Sequence, residues 1–275
     1  MHWQRFLATI ALGSAVSVLS LSVAAQPART IRIDASAGTV STFTETTAGD
    51  HLIPDSQVFV GGRGGASRWF GLLGVAIDAG KNAAVAGDAA SALRVKFDAT
   101  VVKALKALES QNSLPEARLV LSSDPYDLKL LPSARFNMHD DSQADLSLRV
   151  TARIRNAGRE ETRNYYYAVS GLRPLVGAGS WTENNGESFR TQSEAGIERL
   201  TEAVVQDAAG RFSEARTPDK QRKIKVTFLA TGLTVDAVLL GQTEQTLIVI
   251  PVLRDRPMTA LVQVFDRGAV KTEAP

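Results

Sequence analysis

The sequence predicts an α+β fold in which helices pack on an antiparallel sheet and a small all-β module, a meander or a small barrel, follows at the C-terminus. Two observations lead to this prediction. Apolar residues recur with helical spacing in three segments, near 69–77, 89–110 and 189–209. Elsewhere they alternate with polar residues, as in strands, and these segments do not alternate regularly with the helices.

The first 25 residues have the features of a secretory signal. Arg5 lies near the start, a long apolar run follows, and the run ends on the small residues Val23, Ala24 and Ala25. The chain is therefore expected to be exported, to the periplasm or beyond, after cleavage behind Ala25. A retained N-terminal anchor is the alternative, because the run is nearly long enough to span a bilayer. No transmembrane span is expected after cleavage.

Composition limits the classes of partner and of covalent stabilisation. The formal net charge is +2, and removal of Arg5 with the signal would leave +1. Such a balanced, dispersed charge does not indicate a nucleic-acid partner. The chain has no cysteine, so it forms no disulfide and offers no thiol chemistry. An exported protein of this kind depends on its hydrophobic core for stability.

The sequence suggests three parts behind the signal. Residues 26–57, rich in Thr, Ser and Ala, are predicted as an extended lead-in, and residues 58–212 as the α+β main domain. The polar stretch "SEARTPDKQRK" is the predicted linker. Residues 220–275 contain four short apolar runs separated by turn residues, which predicts the small β module.

The glycine-rich stretch 60–80 raises the question of a phosphate-binding turn. A dinucleotide fingerprint needs a third glycine where this chain has Ser67, and a second strand soon afterwards, whereas the next predicted strand begins near Arg118. A nucleotide site is therefore not expected.

The same stretch predicts a buried helix instead. Its apolar arc is wide, as in a helix that is buried on most sides, and it is too short to cross a membrane. We interpret Gly71 and Gly74 as structural glycines that face a close backbone neighbour, and Gly62 and Gly64 as part of a flexible leading turn.

The remaining elements follow from periodicity and turn residues. A second helix is expected over 89–110, and a third over 189–209 with Ser188 as N-cap and Gly210 just past its end. A strand over 126–139 is expected to be interrupted at Pro132. The segment 146–169 is expected to form an antiparallel hairpin around the turn at 156–158.

The sequence lacks the common motifs for catalysis and for metal binding, or has only partial matches to them. The chain has neither G-x-S-x-G nor S-x-x-K, and no paired histidines in a zinc-binding pattern. His139, Asp140 and Asp141 are adjacent, which is typical of a polar turn rather than a metal site. The stretch "TENNGES" lacks the order of a calcium loop and is interpreted as a turn. We expect no cofactor and no metal ion.

Three residues remain as candidates for contact with a ligand or a partner: Trp181, His139 and Asp207. Trp181 lies in a polar loop, where a large aromatic either anchors the loop or belongs to a binding surface. Asp207 lies on the apolar stripe of the third helix near its end, so it is either exposed by fraying or a buried functional carboxylate. His139 is one of the few titratable groups near a predicted turn.

These observations favour a non-enzymatic, exported protein of the cell envelope that acts through protein–protein contacts, with an envelope protein as its partner. The alternative is a periplasmic hydrolase or small-ligand-binding protein, with a site between the main domain and the β module. Convergence of the three candidate residues in one pocket would favour the alternative. An exposed sheet edge or an apolar patch would favour protein–protein contacts.

Overall fold

The computed structural model describes residues 29–36, 50–62, 81–140, 142–156, 158–229 and 232–273, and strands dominate this part of the chain. Thirteen strands join in one sheet. Their bounds are β1 Arg29–Asp34, β2 His51–Leu52, β3 Val58–Gly61, β4 Ala117–Leu121, β5 Leu128–Met138, β6 Gln143–Asn156, β7 Arg159–Pro174, β8 Arg222–Phe228, β9 Thr234–Gln242, β10 Thr246–Leu253, β11 Arg256–Pro257, β12 Leu261–Asp266 and β13 Val270–Glu273.

Helices are few. Among the described residues, 81–93 form α1, and the others are α2 Asp98–Ser110, α3 Glu183–Ala208 and the single turn α4 Ser213–Arg216. Two 3-10 turns lie at Pro218–Lys220 and Arg267–Ala269. Within these described ranges, no helix is both long enough and apolar enough to cross a membrane.

The sheet is mixed, so the predicted fold class, helices packed on an antiparallel sheet, is wrong. The main strand order is β13-β8-β9-β10-β12-β7-β6-β5-β1-β4. The central hairpin β6–β7 and its neighbour β5 are antiparallel, but β1 is parallel to both β4 and β5, β3 is parallel to β5, and β12 is parallel to β7. Alternation of apolar residues reports which face of a strand is buried and carries no information on strand direction.

One large core lies between the sheet and the helices. The inward positions of β6, Leu146, Leu148 and Val150, have no exposed surface and pack in the same apolar cluster as Ile197 and Leu200 of α3. The alternation predicted for the 146–169 hairpin is confirmed by this pattern and by the β6–β7 register. α3 therefore lies along the middle of the sheet.

The C-terminal strands continue this sheet, although the sequence suggested a separate module. Ile248 and Ile250 of β10 belong to the large core, whereas Leu247 and Val249, on the opposite face, belong to a second, smaller core. β12 and β13 lie at opposite ends of the run β13-β8-β9-β10-β12 but are joined by only three residues. The run must therefore curl, and the smaller core fills the curl.

Two predicted elements differ in detail for identifiable reasons. The helix predicted over 89–110 is broken at 94–97, where the amide of Phe97 donates to the side-chain oxygen of Gln57 and the amide of Gln57 donates to the carbonyl of Val95. Pro132 does not interrupt β5. It lies between the residues that pair with β1 and those that pair with β3, where its missing N–H removes no ladder hydrogen bond.

The third helix starts earlier than predicted. It includes a left-handed turn at Asn184, Asn185 and Gly186, with φ of 51°, 58° and 75°, before the right-handed part. Ser188 therefore lies inside the helix and is not its N-cap. Gly210, with φ of 93°, follows the helix end as predicted.

Candidate functional site

An apolar cleft lies where β7 and β12 separate. The two strands pair from Asn164 with Leu261 to Tyr167 with Val264. β7 then continues beside β6 as far as Pro174, while β12 turns through Arg267–Ala269 into β13. The divergence leaves a cavity of about 400 Å³ between β7 and the curled C-terminal strands.

The lining of this cleft is mostly apolar and comes from distant parts of the chain. β7, β8, β12 and β13 with its preceding turn supply the apolar wall, and the polar groups are His139 before β6, Asp145 of β6 and Asp266 of β12. The lining residues are His139, Asp145, Ala168, Val169, Gly171, Leu172, Phe228, Phe265, Asp266, Ala269 and Val270. A few polar groups in an apolar cavity of this volume are typical of binding sites.

One polar corner of the cleft is the pair His139 and Asp145. The Nε2 of His139 lies 3.1 Å from Oδ1 of Asp145, and the side-chain amide of Asn137 donates a longer hydrogen bond, 3.4 Å, to the other carboxylate oxygen. The His139 side chain is exposed. The imidazole and the carboxylate are thus both accessible from the cleft.

The second polar corner is Asp266, which is held from two sides. The hydroxyl of Tyr167 donates to Oδ2 of Asp266 at 2.7 Å, and Arg199 of α3 forms an ion pair with Oδ1. Arg199 also donates to the Tyr167 hydroxyl at 2.6 Å. Burial, and next the carboxylate of Asp266, raise the pKa of Tyr167, so the phenol keeps its proton and remains the donor.

Apolar side chains are also exposed at the mouth of the cleft. Leu172, which lines it, is 52% exposed, and Leu229, next to the lining residue Phe228, is 54% exposed. The amide of Leu229 donates to the carbonyl of Ala269, another lining residue, which fixes Leu229 near the cleft. Exposed apolar groups beside a concave apolar surface are characteristic of interaction sites.

The three candidate residues predicted from sequence do not meet in one pocket. His139 lines the cleft. Trp181 has no exposed surface, packs on Phe136 and donates its indole N–H to the carbonyl of Ala144 at 3.0 Å. It therefore anchors its loop to the sheet, one of the two roles expected for it.

Asp207 is buried rather than exposed by fraying. Its side chain is 2% exposed and forms ion pairs with Arg163 of β7 and Arg216 of α4. The hydroxyl of Tyr165 also donates to it. The four side chains link the end of α3 to the sheet and to α4, away from the residues that line the cleft.

A second, more open and polar depression of about 390 Å³ lies at the start of α3. Arg173 contacts it, donates to Ser188 at 2.8 Å and stacks over the Trp181 ring at 4.9 Å. Glu183 and Asn184 also line it. They belong to the stretch "TENNGES", interpreted as a turn, which does turn at Asn184, Asn185 and Gly186. Across the described ranges, no group of three or more His, Cys, Asp or Glu side chains is placed to hold a metal ion.

Of the predicted structural glycines, Gly62 lies within the described residues and Gly64, Gly71 and Gly74 lie outside them, as does the whole helix predicted near 69–77. Gly62 has φ of 128°, and a Cβ there would lie 2.6 Å from the amide nitrogen of Met138. Only glycine fits this close approach of two backbones.

Sequence reasoning missed most of the cleft. Tyr167, Asp266 and Arg199 are far apart in the chain, and each reads singly as an ordinary strand or helix residue. Leu172, an apolar residue next to Gly171 at the end of a strand, was the available local signal. The cleft exists because β12 joins β7 in parallel, a pairing that no local pattern indicates.

Comparisons of this chain with known protein families, with curated proteins and with solved structures find no match.

Proposed function

We propose that this chain is an exported protein of the cell envelope that acts through protein–protein contacts, and that the cleft between β7 and the C-terminal strands is its contact site. The observation that supports this most directly is the apolar cleft with Leu172 and Leu229 exposed at its mouth. A partner that covered these side chains would remove apolar surface from water, which is the main driving force of association.

The polar groups of the cleft support selective binding. The Asp266 carboxylate is held in place by Tyr167 and Arg199, so its orientation does not have to be fixed when a partner binds. Asp145 and His139 form the other polar pair of the cleft. Fixed polar groups around an apolar centre distinguish a correct partner from any apolar surface.

Site-specific photo-crosslinking in intact cells tests this proposal. A photoreactive amino acid at Ala168, which is exposed and lines the cleft, should give a discrete adduct with an envelope protein. The matched control is the same amino acid at Thr162, exposed on the same face of β7 but outside the cleft. Equal adducts at both positions, or none at Ala168, would count against the cleft as the contact site.

A small-ligand-binding protein is the second candidate, because the cavity volume of about 400 Å³ lies within the range of small-molecule sites. The variant Ala168→Trp should fill the cleft, and native mass spectrometry of protein recovered from the envelope then distinguishes the two candidate functions. A small molecule that co-purifies with the unaltered protein and with Thr162→Trp, but not with Ala168→Trp, would favour this second function.

Export is a separate part of the proposal and rests on the first 25 residues. Intact-mass measurement on protein recovered from the envelope should give a chain that begins at Gln26. A mass that includes Met1 would contradict cleavage and favour the retained anchor.

A further inference from the structure

We propose that the cleft binds its partner by strand addition, in which an extended segment of the partner pairs with the free edge of β7 at 168–170. This inference rests on the proposed function and specifies how the contact is made. The segment would carry an apolar side chain into the cleft and a lysine or arginine beside Asp145 or Asp266.

The free edge follows from the strand pairing. β6 pairs with one side of β7 along almost all of its length, but β12 pairs with the other side only from Asn164 to Tyr167. Beyond Tyr167, none of the described strands pairs with this side of β7. Backbone N–H and C=O groups of an unpaired edge are ready to pair with another chain.

The edge is short and has a defined end. Gly171, with φ of 109°, departs from extended backbone, so the regular part covers three residues, roughly 10 Å at the rise of a strand. A segment of three or four residues is enough to pair with it. A longer partner strand would meet the irregular backbone at Gly171.

The cleft beside this edge would receive the side chains of an added strand. Successive side chains of a strand point to opposite faces, so every second side chain of the partner would point into the cavity. Phe228, Phe265 and Val270 form an apolar wall there, which calls for an apolar side chain.

Charge specifies the neighbouring position. The described residues that line the cleft include two carboxylates, Asp145 and Asp266, and no lysine or arginine. Arg199 and His139 each contact one of these carboxylates, but both carboxylates keep exposed surface. A partner with a basic residue next to its apolar residue complements this site, whereas an acidic segment is repelled.

A displayed library of random decapeptides, selected on the purified protein and counter-selected on Ala168→Trp, tests the inference. The expected result is enrichment of peptides that carry an apolar residue with a lysine or arginine one or two positions away. A selected peptide should bind about tenfold more weakly when its alternate backbone amides are N-methylated, because the side chains are kept and the pairing hydrogen bonds are lost.

Two further measurements make the result specific. First, amide hydrogen exchange at 168–170 should slow when the selected peptide binds. Second, Asp145→Asn should weaken binding of the peptide severalfold. Asp219→Asn removes the same charge at an exposed position outside the cleft and should leave binding unchanged. One of the two sets of alternate amides faces β7 and the other faces away from it. If no cleft-dependent peptide is enriched, or if N-methylation of each set in turn leaves affinity unchanged, strand addition is wrong.

The outcomes distinguish this inference from the proposed function. If a partner crosslinks at Ala168 but the affinity of the selected peptide does not depend on its backbone amides, then the cleft is the contact site and strand addition is wrong. The purified protein could also self-associate through the cleft, in which case Ala168→Trp would abolish the association and Thr162→Trp would not. That result would show that a second copy of this chain supplies the contact, and the proposal of a basic partner segment would be wrong.

Discussion

The hydroxyl of Tyr165, on β7, donates a hydrogen bond to the carboxylate of Asp207, at the end of α3, and both side chains are buried. Burial, and next the carboxylate, raise the pKa of Tyr165 well above its ordinary value, so the phenol remains protonated and acts as the donor. Arg163 and Arg216 balance the buried carboxylate. This cluster fixes the end of α3 to the sheet.

Asp207→Ala should destabilise the protein by about 3–5 kcal/mol, because it leaves two largely buried guanidinium groups without their shared carboxylate. Tyr165→Phe should cost less, about 1–3 kcal/mol, because it leaves Asp207 with both ion pairs. Urea unfolding monitored by tryptophan fluorescence measures the free energy of unfolding. Asp219→Ala, at an exposed position, is the control, and a loss at Asp207 no larger than at Asp219 would show that the cluster does not stabilise the fold.

The sequence indicated that Asp207 is unusual but not why. Its position on an apolar helical stripe was visible, and burial of that stripe was correctly predicted for Ile197, Leu200 and Val204. The compensating charges come from Arg163 on a strand and Arg216 on α4. Both are brought there by the tertiary fold, which local periodicity does not encode.

Acid should reduce stability in part through Asp127. Arg32 donates to this carboxylate from its backbone amide, at 2.9 Å, and from its guanidinium, at 3.0 and 2.8 Å. The side-chain hydrogen bond from Arg32 is the largest cause that lowers the pKa of Asp127, from 3.8 to about 2. The unfolded chain then takes up a proton at a higher pH than the folded chain.

The sign of the effect follows from this difference. The contribution of Asp127 to stability is present above the unfolded pKa and is lost as the pH falls from about 4 to about 2. Asp127→Asn should therefore be less stable than the unaltered protein at pH 7, and the gap between the two should narrow over that range. Urea unfolding at a series of pH values measures it. A gap that is constant from pH 7 to pH 2 would contradict the assigned pKa shift.

The C-terminal residues 220–273 should not fold alone. Ile248 and Ile250 of β10 and Val262 and Val264 of β12 pack in the large core, and they would be exposed in the isolated segment. The far-UV circular dichroism of the expressed fragment should lack a cooperative thermal transition. A cooperative, strand-type fragment would instead support the division into a main domain and a separate β module.

Strand existence was predicted far better than strand arrangement. The four C-terminal apolar runs each became a strand, β8, β9, β10 and β12, because their alternation reflects one buried face. The same alternation did not reveal that β10 and β12 are buried on both faces. β5 carried a hint, since Leu130, Leu131 and Pro132 break the alternation with three consecutive apolar residues, as in strands that are covered on both sides.

Parallel pairing was beyond what periodicity provides. β1 and β4 are separated by more than 80 residues, and their partnership depends on the crossover of the chain between them. The cleft arises from another such pairing, β12 with β7. The candidate site could therefore be predicted only as a region between two parts of the chain, without its residues.

The last prediction concerns two glycines in helices. At Gly196 of α3, an added Cβ would clash with Leu148 and lie 2.9 Å from the ring of Tyr167, whereas at Gly87 of α1 it would meet nothing within 4 Å. Gly196→Ala should therefore force α3 away from the sheet and cost about 1–3 kcal/mol through overpacking. Gly87→Ala should stabilise by about 0.5–1 kcal/mol, because alanine has the higher helix propensity and Gly87 is exposed.

Thermal and urea unfolding of the two variants measure the change in stability. Both variants add one methyl group to a helical glycine, so any difference between them reports the surroundings of that glycine. Because Tyr167 also orients Asp266 in the cleft, a displaced α3 in Gly196→Ala should weaken binding of a cleft partner as well, and Gly87→Ala should leave it unchanged. If Gly196→Ala raises stability as Gly87→Ala is expected to, then the sheet accommodates the added methyl group, and the close approach of α3 to β6 and β7 does not depend on a glycine.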